Sequence, residues 1–107
     1  MLRYKRVNTG ALANGVETIV EILSCPIGKA YKIVTIAGYY VASLYLRVYR
    51  DAEQIVDCSS TDMTAQAPLL PMNLPLATGQ VCKAGYYNNT GGAIAAKEIT
   101  IGYEDAG

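Results

Sequence analysis

The sequence contains no histidine among its 107 residues. This absence removes the commonest general base, and with it any Ser-His or Cys-His nucleophile pair. A zinc site would need an unusual set of ligands. A pair of carboxylates could still hydrolyse a substrate, and Asp51, Glu53 and Asp57 are the candidates. These three lie in and after a predicted hairpin turn, where acidic residues ordinarily face solvent. We therefore predict no enzyme activity, no catalytic residue, no cofactor and no metal.

Cysteine is scarce, and long apolar runs are absent. Cys25, Cys58 and Cys82 are an odd number without C-x-x-C spacing, which argues against a disulfide framework and predicts three reduced thiols. No run approaches the length of a membrane span, and the first residues lack the hydrophobic core of a signal peptide. We expect a protein that is made in the cytoplasm and has no membrane partner.

Net charge is also missing, since nine basic residues balance nine acidic ones. Without a global field, nucleic acid is an unlikely partner. Positive charge is concentrated locally at Arg3, Lys5 and Arg6, in a segment that could form an arm or an edge strand. The basic cluster is either a solvated end or a docking site for an acidic partner surface. We divide the chain into an N-terminal arm and loop, residues 1–15, and a β-sandwich domain, residues 16–107.

The plainest structural signal is the alternation in Val41–Arg50. Leu44, Leu46 and Val48 occupy one side, while the residues between them occupy the other. This period of two predicts a half-buried β-strand, which we place at the centre of the fold. The outward side carries Tyr45, Arg47 and Tyr49.

Further strands follow between turn signals. They are predicted at Val16–Leu23, Ala30–Ala37, Gln54–Cys58, Val81–Tyr87 and Ala93–Tyr103. Val16 should point inward in the first of these, and Cys82, Ala84 and Tyr86 should point inward in the fourth. The proline-rich stretch Pro68–Leu76 should be irregular or an edge strand, and Ser59–Ala67 should be a surface loop. Seven to eight short strands and no helix predict an all-β fold: a single antiparallel β-sandwich, jelly-roll-like or immunoglobulin-like.

Some apolar residues fall on faces that a lone sandwich would leave partly wet. In Val16–Leu23 the glutamates mark the outward side, and Ile19 and Leu23 lie with them; Val34 and Ile36 lie on the second side of their strand. Contiguous apolar surface of this kind marks an interface. The outward residues of the central strand are of types enriched at interfaces, although a solvated face is an equal alternative. The predicted subunit interface is Ile19, Leu23, Val34, Ile36, Tyr45, Arg47 and Tyr49, in a homotrimer.

Two tyrosine pairs, Tyr39-Tyr40 and Tyr86-Tyr87, could stack a sugar or single-stranded bases. Alternation along a strand would instead place one member of each pair in the core and the other outside, and we favour this second interpretation.

From about Val16 to Asp105 the chain resembles small β-sandwich proteins of tailed-phage virions, especially head-decoration (cement) or minor capsid accessory proteins. The likeness rests on the hairpin V-Y-R-D-A-E-Q-I-V-D (Val48–Asp57), the stretch L-A-T-G-Q-V-C-K-A-G-Y-Y-N-N-T-G-G (Leu76–Gly92) and the terminal I-T-I-G-Y-E-D (Ile99–Asp105). It implies a multimeric, non-catalytic component of the virion.

Such a component would stabilise the particle by binding the major capsid protein or other virion subunits. Arg3, Lys5 and Arg6 would then dock on the capsid. The alternatives are a receptor- or carbohydrate-binding module of a fibre, and a single jelly-roll capsid subunit.

Overall fold

The computed structural model describes residues 2–39, 41–59 and 69–105. They form eight strands: β1 (Leu2–Asn8), β2 (Glu17–Ser24), β3 (Tyr31–Ala37), β4 (Leu44–Arg50), β5 (Glu53–Ser59), β6 (Leu69–Leu76), β7 (Val81–Asn88) and β8 (Glu98–Asp105). The described residues contain no helix, and so none that could cross a membrane. The predicted all-β fold is confirmed. The predicted loop Ser59–Ala67 lies, after its first residue, outside the described residues.

The strands form two four-stranded antiparallel sheets, ordered β1-β8-β3-β6 and β2-β7-β4-β5. The first strand pairs with the last, the second with the seventh, the third with the sixth and the fourth with the fifth. A long hairpin with β4 and β5 at its tip, rolled up on itself, gives this order. Of the two predicted architectures, the strand order is that of the jelly roll.

The core lies between the two sheets and follows the alternation of the inner strands. Leu44, Leu46 and Val48 of β4 are fully buried, as predicted. On the neighbouring β7 the predicted inward residues Cys82, Ala84 and Tyr86 are also fully buried. Because these two strands pair along their whole length, their inward side chains form one continuous apolar layer.

Two β-bulges change which residues enter the core. One interrupts β2 between Glu21 and Leu23 where it pairs with β7, and the other interrupts β3 between Ile33 and Thr35 where it pairs with β8. An extra residue in a strand shifts the alternation by one. As a result Leu23 and Ile36 are buried in the monomer's own core. Their assignment to a subunit interface was wrong.

The predicted position of Val16 was also wrong. It was expected to point inward at the start of its strand, but it precedes β2 and is 48% exposed.

The start of the chain belongs to the sandwich. Strand β1 pairs with β8 from Leu2 to Asn8, and Val7 packs against the core. The following loop is fastened by Leu12, which is fully buried and bridged to Ile94 by two backbone hydrogen bonds. Residues 1–15 are therefore not an arm and loop outside the domain, because they complete one edge of its first sheet.

Two further predicted segments are placed by the structure. The proline-rich stretch forms the edge strand β6, one of the two predicted alternatives. The last strand begins at Glu98 rather than at Ala93. The tip of the hairpin between β4 and β5 is held by Asp51, whose positive φ of 53° suits a tight turn. Its backbone N–H donates to the Val81 carbonyl and its side chain accepts from the Val81 N–H.

Candidate interaction surface

The outer side of the sheet β2-β7-β4-β5 brings tyrosine and arginine side chains together. Across the strands, Tyr45 of β4 lies opposite Tyr87 of β7, and Tyr87 lies opposite Glu17 of β2. In the next row, Arg47 lies opposite Gly85, which lies opposite Ile19. We call this surface the tyrosine–arginine face; it consists of Glu17, Ile19, Tyr45, Arg47, Tyr49 and Tyr87.

Arg47 holds this face together. Its Nη1 donates to Oε2 of Glu17 at 2.8 Å, and its Nε donates to Oδ1 of Asp57 at 3.2 Å. Glu17 is two strands away, so the guanidinium must cross β7 to reach it. The absence of a side chain at Gly85, directly opposite Arg47, leaves room for this crossing. A Cβ at that position would in addition overlap the carbonyl oxygen of Thr18.

The hydrogen bonds of this network determine its electrostatics. The Arg47 hydrogen bond is the main cause that lowers the pKa of the Glu17 carboxyl, and the same bond raises the pKa of Arg47. The Tyr49 hydroxyl donates to the same Glu17 oxygen at 2.8 Å, which raises the pKa of that tyrosine. All three groups are thus held in their ordinary charge states near neutral pH.

Aromatic contacts complete the face. The Arg47 guanidinium carbon lies 4.7 Å from the centroid of the Tyr87 ring, a cation–π contact. The Tyr45 and Tyr87 rings are 6.3 Å apart at a tilted angle of 50°. Half-buried Ile19 adds an aliphatic group beside them. These contacts fix flexible side chains in one arrangement on the outer side of the sheet.

Four of the seven predicted interface residues meet on this face: Ile19, Tyr45, Arg47 and Tyr49. Val34 does not join them, because it lies half-buried in the bulge of β3, in the other sheet. Sequence reasoning missed Glu17 and Tyr87. The outward position of Tyr87 followed from the alternation of its strand, whereas the role of Glu17 depends on which strands are neighbours.

The Tyr86-Tyr87 pair has the predicted core-and-surface arrangement. Tyr86 is fully buried, and its hydroxyl accepts the Tyr39 backbone N–H at 3.2 Å. Burial raises the pKa of Tyr86 to about 12. Tyr87 belongs to the outer face. For the other pair, Tyr39 is 40% exposed and Tyr40 lies outside the described residues.

The predicted docking cations lie on the first sheet, remote from the tyrosine–arginine face. Arg3, Lys5 and Arg6 are exposed on β1. Arg6 forms an ion pair with Glu98 at 2.7 Å. Arg3 and Lys5 have no ion-pair partner in the part of the chain that the structure describes.

The three candidate carboxylates are separately engaged. Asp51 binds the Val81 backbone, Glu53 forms an ion pair with Arg50 at 2.8 Å, and Asp57 accepts from Arg47. Across residues 2–39, 41–59 and 69–105 no pocket is present, and no three His, Cys, Asp or Glu side chains are grouped to hold a metal ion.

Comparison with known proteins gives little likeness. No protein family matches the chain, and no curated protein matches it. Among solved structures, the nucleoplasmin-like N-terminal domain of Drosophila FKBP39 is similar over 96% of this chain and 88% of that one, with 15% identity and a TM-score of 0.48. A likeness this weak assigns no function to this chain.

The prediction of a phage head-decoration protein is wrong. No family or curated protein that matches the chain supports a viral function, and the solved structure named above is a domain of a Drosophila FKBP rather than a capsid protein. The predicted capsid partners and virion location lose their basis with that function. The motifs behind the resemblance are those of hairpins and turns, which unrelated sandwiches share because they need the same backbone geometry.

Proposed function

We propose that the protein is a non-catalytic association module, in which the tyrosine–arginine face binds the same face of a second copy of the chain. The observation that carries the proposal is the Arg47 network, which links strands β2, β4 and β5 on the outer side of one sheet. Tyrosine and arginine are the residue types that contribute most at protein interfaces.

The network lowers the cost of association. A free arginine or tyrosine loses about 0.5–1.5 kcal/mol of side-chain entropy when an interface immobilises it. Arg47 is already held by Glu17, Asp57 and the Tyr87 ring. Tyr49 is already held by its hydrogen bond to Glu17. A partner therefore meets a preformed surface, and less of the binding free energy is lost in ordering it.

Charge balance favours a second copy as the partner. Glu17, Glu21 and Asp57 contribute three negative charges to this side of the sheet, and Arg47 and Lys83 contribute two positive ones, so three minus two leaves one net negative charge. Two such faces repel each other only weakly. A strongly acidic or basic partner would find little complementary charge.

The dimensions of the face set the expected affinity. Four strands spaced at ~4.8 Å, two of them eight and two of them seven residues long, cover a footprint of about 19 by 25 Å, or ~500 Å². Stable complexes bury about 800 Å² on each partner. We therefore expect reversible association with a Kd in the micromolar range. A contact through one shared face closes at two copies, so we propose a dimer. The trimer predicted from the sequence stays a prediction.

Sedimentation velocity across a wide concentration range tests the proposal. Wild type should shift from monomer to dimer as concentration rises. Tyr45→Ala should weaken the dimer at least about tenfold, because the outward ring is lost from both copies. Tyr4→Ala is the matched control, since this tyrosine is 68% exposed on the outer side of the other sheet.

Two outcomes would count against this assignment. A wild type that stays monomeric at about 1 mM, where even millimolar affinity would show, would eliminate self-association. Equal weakening by Tyr4→Ala and Tyr45→Ala would move the contact away from the tyrosine–arginine face.

A further inference from the structure

The first sheet has two edges of different character. At one edge, β6 carries Pro71 and Pro75, which have no backbone N–H to offer to another strand. At the other edge, β1 contains no proline and pairs, among the described residues, with β8 alone. Its Leu2 and Tyr4 side chains are 48% and 68% exposed. The β1 edge can therefore accept a further strand.

Uncompensated positive charge lies along this open edge. Lys5 is opposite Ile101 and Arg3 is opposite Tyr103, which places both cations on the side of the sheet that carries the core. Both remain exposed because they lie on the outermost strand. Other cations of the sheet have partners: Arg6 pairs with Glu98, and Lys32 lies 3.8 Å from Glu104. Arg3 and Lys5 have none among the described residues.

The positive charges of Arg3 and Lys5 determine which kind of strand can pair with the β1 edge. If two copies paired through β1 in a centred antiparallel register, Lys5 of each chain would lie directly opposite Lys5 of the other. Like charges in directly opposed positions destabilise strand pairing, and lysine on an edge strand is a common way to prevent it. A second copy of this chain is therefore a poor partner for the edge, and a segment of opposite charge is a good one.

We propose that β1 binds an extended acidic segment of a partner protein as an added strand. Backbone hydrogen bonds would supply affinity, and side chains at alternate positions would supply specificity. Arg3 and Lys5 are two residues apart on the same side, so the partner needs carboxylates at positions i and i+2. The residue between them lies on the side of Tyr4, which suits an apolar group. The recognised pattern is acidic–apolar–acidic in an extended chain.

Fluorescence anisotropy with short labelled peptides tests this proposal on the full-length chain. A peptide of sequence Thr-Glu-Val-Glu-Val-Thr should bind, and its affinity should fall as salt is added, because exposed charges are screened. The same peptide with lysine in place of glutamate should not bind. Two further peptides should be made, one with the backbone nitrogens of both glutamates methylated and one with those of both valines methylated. One of these two peptides should lose binding and the other should keep it. In an added strand only alternate N–H groups point toward β1.

A matched pair of variants locates the site. Lys5→Glu should lower the affinity for the acidic peptide about five- to tenfold, because the substitution replaces an attraction by a repulsion. Lys83→Glu changes the net charge equally but lies in the other sheet, and it should leave the affinity unchanged. Circular dichroism checks that both variants fold.

Three results would overturn the proposal. The first is no binding of the acidic peptide at about 1 mM, the weak limit of useful affinity. The second is equal loss in the two variants, since charge attraction without a site on β1 would explain it. The third is full binding by both N-methylated peptides, because an added strand requires backbone hydrogen bonds.

Discussion

Replacing Asn88 by aspartate should destabilise the fold far more than the small change in shape suggests. Asn88 is fully buried at the end of β7. Its Nδ2 donates to the carbonyls of Leu12 at 3.0 Å and Gly92 at 2.9 Å. Its Oδ1 accepts from the backbone N–H and the hydroxyl of Thr90, at 3.0 and 2.7 Å. The amide thus ties the first loop to the loop that follows β7, with both of its donors used.

The magnitude follows from these partners. A carboxylate at position 88 loses two donors, and one of its oxygens would face the carbonyl oxygens of Leu12 and Gly92. The Leu12 carbonyl keeps a partner because it also accepts from the Ile94 N–H, and Gly92 is exposed, so water can replace the lost donor at its carbonyl. Two lost hydrogen bonds cost about 2 kcal/mol. Oxygen–oxygen repulsion and a partly compensated buried charge raise the expected loss to about 3–4 kcal/mol at neutral pH.

Urea unfolding followed by circular dichroism measures the effect. In a thermal melt, a loss of about 3 kcal/mol in the free energy of unfolding would lower Tm by roughly 12–24 °C for a domain of this size. Asn88→Ala removes the same hydrogen bonds without adding charge, and should cost less than Asn88→Asp. Asn89→Asp, one residue later on an exposed side chain, should have little effect. If Asn88→Asp stays within about 1 kcal/mol of wild type, the amide does not hold the two loops together.

Three further perturbations test other parts of the structure. The hydrogen bond from Arg47 lowers the pKa of Glu17 below its ordinary value of 4.5. The ionised carboxylate therefore stabilises the fold above pH 4.5, and this stabilisation is lost as the pH falls through the lowered pKa of the folded protein. Glu17→Gln should therefore reduce acid sensitivity in urea titrations below pH 4.5, by less than about 1 kcal/mol because the pair is partly exposed; an unchanged pH profile would contradict the pairing. Burial raises the pKa of Cys82 to about 12, so a thiol reagent should label half-buried Cys58 before Cys82. Denaturation without reductant should expose three free thiols, and a count of one would reveal a disulfide. Ile36→Glu places an unpaired charge in the core and should abolish the β-sheet circular dichroism signal, whereas Ile36→Val should cost about 1 kcal/mol; a folded Ile36→Glu variant would return this residue to the surface.

The sequence predicted strands well where the alternation was regular. In β4 and β7 every inward residue that we named is fully buried, because a strand with one wet side needs strict alternation. The predicted outward positions of Leu23 and Ile36 were wrong, because a bulge shifts the alternation of each strand and turns these side chains inward. A bulge inserts a residue without a characteristic sequence pattern, and it is visible only against the partner strand.

The candidate surface was predicted in part for a related reason. Tyr45, Arg47 and Tyr49 are two residues apart, so their common side followed from one strand alone. Glu17, which accepts from Arg47, is 30 positions earlier in the chain. Nothing local links the two residues, because their contact depends on the sheet order that places one strand between β2 and β4.

By itself the sequence determined the all-β class and which residues of the regular strands face water, because both follow from local periodicity and turn chemistry. Tertiary structure decided what those faces do. Rolling the chain into a jelly roll assembled the Arg47 network from three strands. It also turned the first residues into an edge strand on which Arg3 and Lys5 have no ion-pair partner among the described residues. Both surfaces result from long-range pairing, and the energy of such pairing is a property of neighbouring strands rather than of any one segment.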